Sequence, residues 1–250
     1  TTLGNAENSC MVQYQLPVGD DLLPMNEHIG EGVRLNYQGE IHCISCGRKT
    51  SKSFAQGHCY PCFRSLAACD ICIMKPETCH FAEGTCREPD WAKAHCFIPH
   101  YVYLANSSGL KVGITRETQI PVRWMDQGAT QALPVIQVEN RLQSGLIEVI
   151  IKEHISDRTD WRKMLKSDAE PLPLETLRDE LLDICSAEIA EIKKQQGEYA
   201  IQTIKETIVE LRYPVSEYPA KVKSLNFDKQ PEIEGVLMGI KGQYLILDSG

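Results

Sequence analysis

The cysteines carry the clearest chemistry in this sequence, because they are numerous, clustered and regularly spaced. The chain holds 11 cysteines, and nine of them fall between Cys43 and Cys96. Cys43-x2-Cys46 is followed, after twelve residues, by Cys59-x2-Cys62. A CxxC pair forms a tight turn that presents two thiolates to one ion, and two such pairs complete a tetrahedral shell. We therefore predict a structural zinc ion bound by these four thiolates.

A second metal site is predicted just downstream, where Cys69-x2-Cys72 supplies two more thiolates. The remaining ligands come from five candidates: Cys79, His80, Cys86, His95 and Cys96. We favour Cys86 and Cys96, because they bracket a loop like that of the first site, and Cys79, His80 and His95 stay open as alternatives. An iron–sulfur cluster also takes four thiolates, but paired cysteines at two separate sites are more typical of zinc ribbons. The predicted ligands of a second structural zinc are therefore Cys69, Cys72, Cys86 and Cys96.

A second informative pattern lies downstream of the cysteines. It consists of Tyr101-Val-Tyr103, Lys111-Val-Gly113-Ile-Thr115, Arg123 and Glu148. In order and spacing it resembles the GIY-YIG nuclease superfamily, whose first two strands carry two such tripeptides and whose helices carry the arginine and the glutamate. The resemblance covers residues 99–165. The whole sequence also resembles an uncharacterised bacterial family that joins cysteine-rich zinc modules to a core of this kind.

The resemblance implies roles for individual residues. Tyr103 matches the tyrosine of the first tripeptide, and Gly113 matches the last glycine of the second. Arg123 matches the helix arginine, and Glu148 matches the metal-binding glutamate. The chain departs from the family pattern at Lys111, which stands where the second tripeptide has its tyrosine. Tyr103, Lys111, Arg123 and Glu148 are therefore the candidate catalytic residues.

These side chains fit the chemistry of phosphodiester cleavage. A Mg²⁺ or Mn²⁺ ion held by Glu148 would act as a Lewis acid, and Arg123 could bind a phosphate with two hydrogen bonds. Tyr103 could orient or deprotonate the attacking water, and Lys111 could act as the base if its pKa were lowered. Because the small residues Ser144 and Gly145 lie one turn before Glu148, we also expect open space for a ligand or metal beside that carboxylate.

Two functions follow from this interpretation. The first is a metal-dependent endonuclease that acts on nucleic-acid phosphodiesters and carries two structural zinc ions. The alternative is a non-catalytic module for binding nucleic acid or protein, in which the nuclease core is degenerate. Lys111 is the residue that separates these hypotheses. The sequence does not indicate a protein partner, nor a choice between DNA and RNA.

Composition restricts the partner and the compartment. The net charge is −8, which disfavours a protein that coats nucleic acid by general electrostatic attraction. From Ile41 to Leu66, however, there are four basic residues and no acidic ones, so a local binding patch is expected. The first ten residues lack the basic and apolar stretches of a secretory signal, and no apolar run is long enough to cross a membrane. We expect a cytoplasmic protein without membrane contact.

The fold class is predicted as α+β, with zinc-ribbon modules inserted before a small GIY-YIG-like mixed α/β core. The predicted segments are an N-terminal β segment (1–40), a double zinc-binding module (41–98), the core (99–165) and a helix with a β-hairpin (166–250). In the core we expect a strand–turn–strand over 101–115, a helix from Pro121 to about Ala132, and a strand over 135–138. Asn140 is expected to cap a helix that runs to about His154.

The last segment is predicted to contain one long helix and a hairpin. Apolar residues recur at helical spacing from Leu174 to about Gln196, and two prolines precede them. The alternation over 236–247, with Gly242 in the middle, predicts a β-hairpin. We expect the helix to pack on the core and the hairpin to pair with the N-terminal strands.

Overall fold

The computed structural model describes residues 1–4 and 10–249. Residues 5–9 lie outside the described residues, and they form part of the predicted N-terminal β segment and of the stretch that lacks a secretory signal. Residue 250 lies outside them as well. Within the described ranges, every helix is too short or too polar to span a lipid bilayer.

The fold is mixed α/β, with several small sheets and eight α-helices in the described residues. The helices are α1 (Tyr60–Ser65), α2 (Ile71–Met74), α3 (Pro89–His95), α4 (Val122–Asp126), α5 (Arg141–Ile151), α6 (Trp161–Met164), α7 (Leu174–Ile184) and α8 (Ser186–Gln196). The strands are β1 (Thr2–Leu3), β2 (Val12–Gln13), β3 (Gln15–Val18), β4 (Asp21–Pro24), β5 (Gly32–Asn36), β6 (Ile41–His42), β7 (Lys49–Thr50), β8 (His100–Asn106), β9 (Leu110–Arg116), β10 (Gln131–Val138), β11 (Ile201–Thr203), β12 (Val209–Glu210), β13 (Glu232–Lys241) and β14 (Tyr244–Leu247).

The largest sheet carries the candidate catalytic residues. Its strand order is β11-β10-β8-β9, and β12 also pairs with β10. β8 pairs antiparallel with both β9 and β10, so the strand–turn–strand over 101–115 is confirmed. Side chains alternate between the two faces of β8, where Val102 and Leu104 pack towards α5 and α7, while Tyr103 and Ala105 pack towards α4. Both faces are therefore buried, and the sheet is a rigid base for a site.

Helix α5 begins where the sequence indicates. The side chain of Asn140 accepts a hydrogen bond from the backbone N–H of Gln143 (3.0 Å), and the Gln143 side chain accepts one from the backbone N–H of Asn140 (3.2 Å). This reciprocal capping box satisfies two backbone donors that the first turn would otherwise leave unpaired. It fixes the start of the helix that carries Glu148.

Two predicted helices differ from the structure. The helix after Pro121 ends at Asp126, because the chain turns through Gly128 with φ at +65° and then enters β10. Residues 132–136 are buried on both faces of the sheet. Their sequence therefore lacks the alternation of apolar and polar residues by which a strand is told from a helix. The predicted long helix over 174–196 is two helices, α7 and α8, which meet at the fully buried Cys185. The break lets α7 pack on the sheet while α8 packs on α5.

The chain ends pair with each other, as expected. β13 and β14 form the predicted hairpin, and β13 also pairs antiparallel with β5. A further backbone bridge joins Met11 to Arg212. The segment boundaries at 40, 98 and 165 stay predictions.

Candidate metal centre and candidate active site

The first predicted zinc site is present as a cluster of four thiols. The Sγ atoms of Cys43, Cys46, Cys59 and Cys62 all lie within 4.8 Å of one another, and those of Cys46 and Cys59 are 3.7 Å apart. Tetrahedral zinc with Zn–S bonds of about 2.3 Å holds its sulfurs about 3.8 Å apart. The thiols fit such an ion, so this cluster could bind zinc.

Local backbone geometry builds this cluster from two short elements. The first CxxC follows β6, and its turn closes through Gly47, which has φ at +69° and donates to the carbonyl of Cys43 (2.9 Å). The second CxxC starts α1, with Cys59 at the N-cap. Hydrogen bonds from backbone N–H groups, first that of Cys59, lower the pKa of Cys43 to about 5. The thiolate of Cys43, the form that binds metal, is therefore favoured, whereas hydrogen bonds within the cluster, first that with Cys59, raise the pKa of Cys62 to about 12.

Three of the four ligands predicted for the second zinc line a common cavity, and the fourth does not. Cys72, Cys86 and Cys96 line a small enclosed space, and Cys79 joins them there. Cys69 is not among the residues that line it. The ligand atoms of Asp70, Cys72 and His80 also lie within 4.8 Å of one another.

The aromatic ring of Tyr103 on β8 packs against Gly113 on the neighbouring strand β9. The two residues are directly opposite each other in the β8–β9 ladder, and a Cβ at position 113 would stand 2.6 Å from the Tyr103 hydroxyl. Only a glycine leaves room for the ring in this position. The tyrosine of the first tripeptide therefore requires the glycine of the second, because a side chain at position 113 would overlap the ring.

A hydrogen-bonded bridge connects Tyr103 to Arg123. With its amide oriented to satisfy both ends, Gln127 donates to the Tyr103 hydroxyl (2.9 Å) and accepts from Nε and Nη2 of Arg123 (3.2 and 3.1 Å). Burial raises the pKa of Tyr103 to about 12, although the nearby charge of Arg123 opposes this rise. Tyr103 is buried, whereas Arg123 is exposed at the surface above it.

Lys111 is a buried cation within electrostatic range of Arg123. Its side chain is 4% exposed, and Nζ lies 3.4 Å from the hydroxyl of Thr159. Burial, with help from the positive charge of Arg123, lowers the pKa of Lys111 to about 8. The carboxylates of Asp157 and Glu148 act in the opposite direction, so both lie within electrostatic range.

Glu148 faces this group from α5. Burial raises the pKa of its carboxyl group, and the negative charge of Asp157 raises it further. Nearby cations, Lys111 among them, lower it in part. The structure thus gathers the four candidate catalytic residues with one further carboxylate, and we call this group the acid–base cluster (Tyr103, Lys111, Arg123, Glu148 and Asp157).

The expectation of open space beside Glu148 is wrong. A Cβ at Gly145 would stand 2.6 Å from Cβ of Pro76 and 2.8 Å from the backbone nitrogen of Glu77. The glycine therefore lets the turn at Pro76–Thr78 dock closely on α5. Gly145 connects the cysteine-rich region to the helix that carries Glu148.

A family described as "protein of unknown function (DUF2797)" matches residues 30–250. This chain belongs to the DUF2797 family. The matched range contains both the four-thiol cluster and the acid–base cluster. No curated protein and no solved structure matches the chain. The likeness to the GIY-YIG superfamily thus rests on the residues of the sequence pattern.

In this DUF2797 chain, sequence reasoning missed two residues around the acid–base cluster. Asp157 lies on the segment after α5 that returns along β9, where the backbone N–H of Val112 donates to Ser156 (2.9 Å). Nothing in the sequence indicates that return path. Gln127 lies four residues after Arg123, a helical spacing that could have identified it.

Proposed function

We propose that this protein is a metal-dependent endonuclease that cleaves nucleic-acid phosphodiesters at the acid–base cluster. The observation that supports this function best is a buried lysine with a lowered pKa, which lies within electrostatic range of an exposed arginine and two carboxylates. Burial of a charged lysine carries a large desolvation cost, and groups with strongly shifted pKa values concentrate at functional sites. The burial of Lys111 therefore favours a chemical role.

Each side chain has a distinct task in the proposed reaction. The exposed guanidinium of Arg123 binds the scissile phosphate and stabilises negative charge on its oxygens. Lys111 takes a proton from the attacking water, because a lysine with a pKa of about 8 is partly neutral near physiological pH. Tyr103, with a pKa of about 12, keeps its proton and orients its neighbours through Gln127.

The carboxylates fit a divalent cation. Mg²⁺ and Mn²⁺ prefer hard oxygen ligands, and Glu148 with Asp157 supplies two such groups whose charges repel each other without a cation between them. Glu148 would hold the ion, which would supply Lewis acidity at the phosphate. Asp157 is the further candidate ligand.

The first zinc site offers a surface for nucleic acid. Arg48, Lys52 and Arg64 are exposed there, and Tyr60 is 55% exposed. Basic side chains contact phosphates, and an exposed aromatic ring stacks on bases. Binding through this patch should weaken as the salt concentration rises.

A cleavage assay tests the proposal. Zinc-loaded protein is incubated with labelled single-stranded, duplex and branched DNA and with structured RNA, in Mg²⁺, Mn²⁺ or excess chelator. We expect fragments from at least one substrate only when the divalent ion is present. Glu148→Gln should abolish them, while Glu153→Gln, an exposed glutamate just after α5, should leave them unchanged. Cleavage that persists in Glu148→Gln would contradict the proposal.

The second candidate function is a non-catalytic nucleic-acid-binding module. It is favoured by the complete burial of Tyr103 and by Lys111 in place of a second tyrosine. Binding to a substrate of the same panel without cleavage in any metal would support this function over the nuclease.

A further inference from the structure

Four thiols outside the first cluster line one small cavity. They belong to Cys72, Cys79, Cys86 and Cys96. The enclosed space has a volume of about 20 Å³, which holds about one water molecule, and a bare zinc ion is no larger. Apolar side chains form most of the remaining wall, and among them the rings of Phe81 and Phe97 have their centroids 4.5 Å apart. The space therefore suits a single metal ion that is shielded from water.

The four thiols come from separate pieces of local structure. In chain order they lie in α2, directly after the turn at Pro76–Thr78, in the segment before α3 and directly after α3. In the described chain, residues 69–96 contribute no member to the buried apolar clusters. A metal ion bound by all four thiols would connect these pieces, and its binding free energy would contribute to their folding.

A buried guanidinium group beside this cavity lacks an acceptor for one of its donors. Nη2 of Arg141 donates to the carbonyl of Ile73, which lines the cavity (2.6 Å), and the backbone N–H of Arg141 donates to the carbonyl of Cys96 (2.8 Å). Within the described residues, Nε of the same side chain is buried and has no hydrogen-bond partner. A zinc ion with four thiolates carries net negative charge, and its sulfurs accept hydrogen bonds. A filled site would therefore supply charge complementary to this guanidinium group.

Two polar residues also line the cavity, but both already have partners. The carboxylate of Asp70 lies 2.8 Å from Nε of Arg87. Nδ1 of His80 lies 2.7 Å from the Thr85 hydroxyl, and its Nε2 faces Asp70 at 3.4 Å. Because the ligand atoms of Asp70 and His80 lie within 4.8 Å of that of Cys72, these two residues are the competing ligands. Zinc binds thiolates readily, and four thiols are present without breaking the contacts of Asp70 and His80.

We infer that a second structural zinc ion is bound by Cys72, Cys79, Cys86 and Cys96. Cys69, which the sequence pattern favours, lies outside the lining of the cavity. Binding would draw the four sulfurs to about 3.8 Å from one another, the separation in a tetrahedral site. Four protein ligands leave no open position for a reaction, so the ion has a structural role. The inference is independent of the proposed nuclease activity.

This zinc ion would brace helix α5. The turn at Pro76–Thr78, which lies between two of the ligands along the chain, packs on Gly145 of α5. The ligand Cys96 accepts the hydrogen bond from Arg141 in the first turn of the same helix. One ion would thus hold both contacts of the cysteine-rich region with the helix that carries Glu148.

Metal analysis of the full chain tests the number of ions. The protein is purified under reducing conditions from zinc-supplemented cells, and zinc and iron are measured per chain after exchange into metal-free buffer. We expect two zinc ions per chain and no iron. One zinc ion per chain, or iron in place of the second zinc, would overturn the inference.

A set of variants tests the ligands. Cys79→Ser should bind one zinc ion, whereas the matched control Cys69→Ser should keep two. His80→Ala should also keep two, because its ring lies outside the ligand set. One retained zinc ion and an unchanged far-ultraviolet circular dichroism spectrum establish that Cys79→Ser is folded, and Cys86→Ser serves as a second variant if it is not. Two zinc ions in both serine variants of the ligands, or the loss of one in Cys69→Ser or His80→Ala, would contradict the assignment.

Hydrogen exchange tests the bracing role. In Cys79→Ser, the amides of residues 71–97 and of the first turn of α5 should exchange faster than in the wild type. The amides of residues 41–65, at the first thiol cluster, should keep their protection. Wild-type exchange throughout residues 71–97 would show that no ion holds this region in place.

Discussion

The pKa of Lys111 responds to burial and to three other charged residues of the candidate active site. The lysine is almost fully buried, and its pKa is lowered to about 8 mainly by that burial. In its charged form it is repelled by Arg123 and attracted by the carboxylates of Asp157 and Glu148. Such an arrangement costs stability, and proteins retain it where the group has a chemical task.

Replacing this lysine with an apolar side chain should stabilise the fold. Lys111→Met removes a buried charge, so the free energy of unfolding should rise by about 1 to 3 kcal/mol at pH 7. The gain should shrink above pH 8, because the folded lysine loses its proton near pH 8 while the unfolded one keeps it up to about 10.5. Denaturant unfolding at several pH values measures both effects, with the exposed Lys229→Met as control. A loss of stability at pH 7 would contradict this view of Lys111.

The cleavage rate should depend on pH through the same group. A base must be neutral to accept a proton, so the single-turnover rate should rise about tenfold per pH unit up to about pH 8 and then level off. Lys111→Arg, which keeps the charge and cannot lose its proton, should remove most of the rate. Unchanged pH dependence in that variant would assign the base to another group.

Among single residues, those that belong to short sequence motifs could be identified from the sequence. The two tripeptides predict that Tyr103 and Gly113 lie on the first two strands of the core, and the structure shows these residues directly opposite each other. The sequence did not indicate Asp157, and it left Cys79 open only as an alternative ligand. Asp157 reaches the cluster only through the return of its segment along β9, and Cys79 enters its cavity from a turn without a CxxC partner.

At the scale of elements, α5 joins the two chemically active regions. Its residue Glu148 belongs to the acid–base cluster, its Gly145 contacts the turn at Pro76–Thr78, and the backbone N–H of Arg141 donates to the carbonyl of Cys96 (2.8 Å). The capping residues made this helix predictable from sequence. The ends of α4 and the break between α7 and α8 were not, because tertiary burial decides them.

A substitution at Gly145 should weaken the packing of the cysteine-rich region on α5 without changing the metal content of the protein. Gly145→Ala places a methyl group 2.6 Å from Pro76, so the turn must move away from α5. We expect a loss of about 1 to 3 kcal/mol in the free energy of unfolding and a lower cleavage rate, with metal content unchanged. Gly32→Ala, where a Cβ meets nothing within 4 Å, is the matched control. Wild-type stability in Gly145→Ala would show that this contact carries no weight.

At the scale of the whole molecule, the four-thiol cluster lies in a segment outside the apolar core. The buried apolar clusters are built mainly from the sheet, its helices and the paired chain ends, while residues 41–65 contribute no member. A zinc ion bound by the four-thiol cluster would hold this segment in place. Mixed α/β architecture and the first thiol cluster could be predicted from sequence, whereas the packing of the cysteine-rich region on α5 could not.

Loss of one ligand should melt this segment and leave the sheet folded. Cys46→Ser is expected to reduce the zinc content by about one ion per chain and to increase hydrogen exchange over 41–65. Amides of β8 and β10 should stay protected. Cys10→Ser, a cysteine outside both clusters, controls for the loss of a thiol. Full zinc content in Cys46→Ser would contradict the first metal site.

The most direct test of the account measures binding and single-turnover cleavage on the same samples of wild type, Glu148→Gln and Lys111→Met. One cleaved substrate from the nucleic-acid panel is used, with Mn²⁺ present. We predict that all three proteins bind it with similar affinity and that only the wild type cuts it. Cutting by either variant at the wild-type rate would contradict the assignment of these residues to a nuclease site.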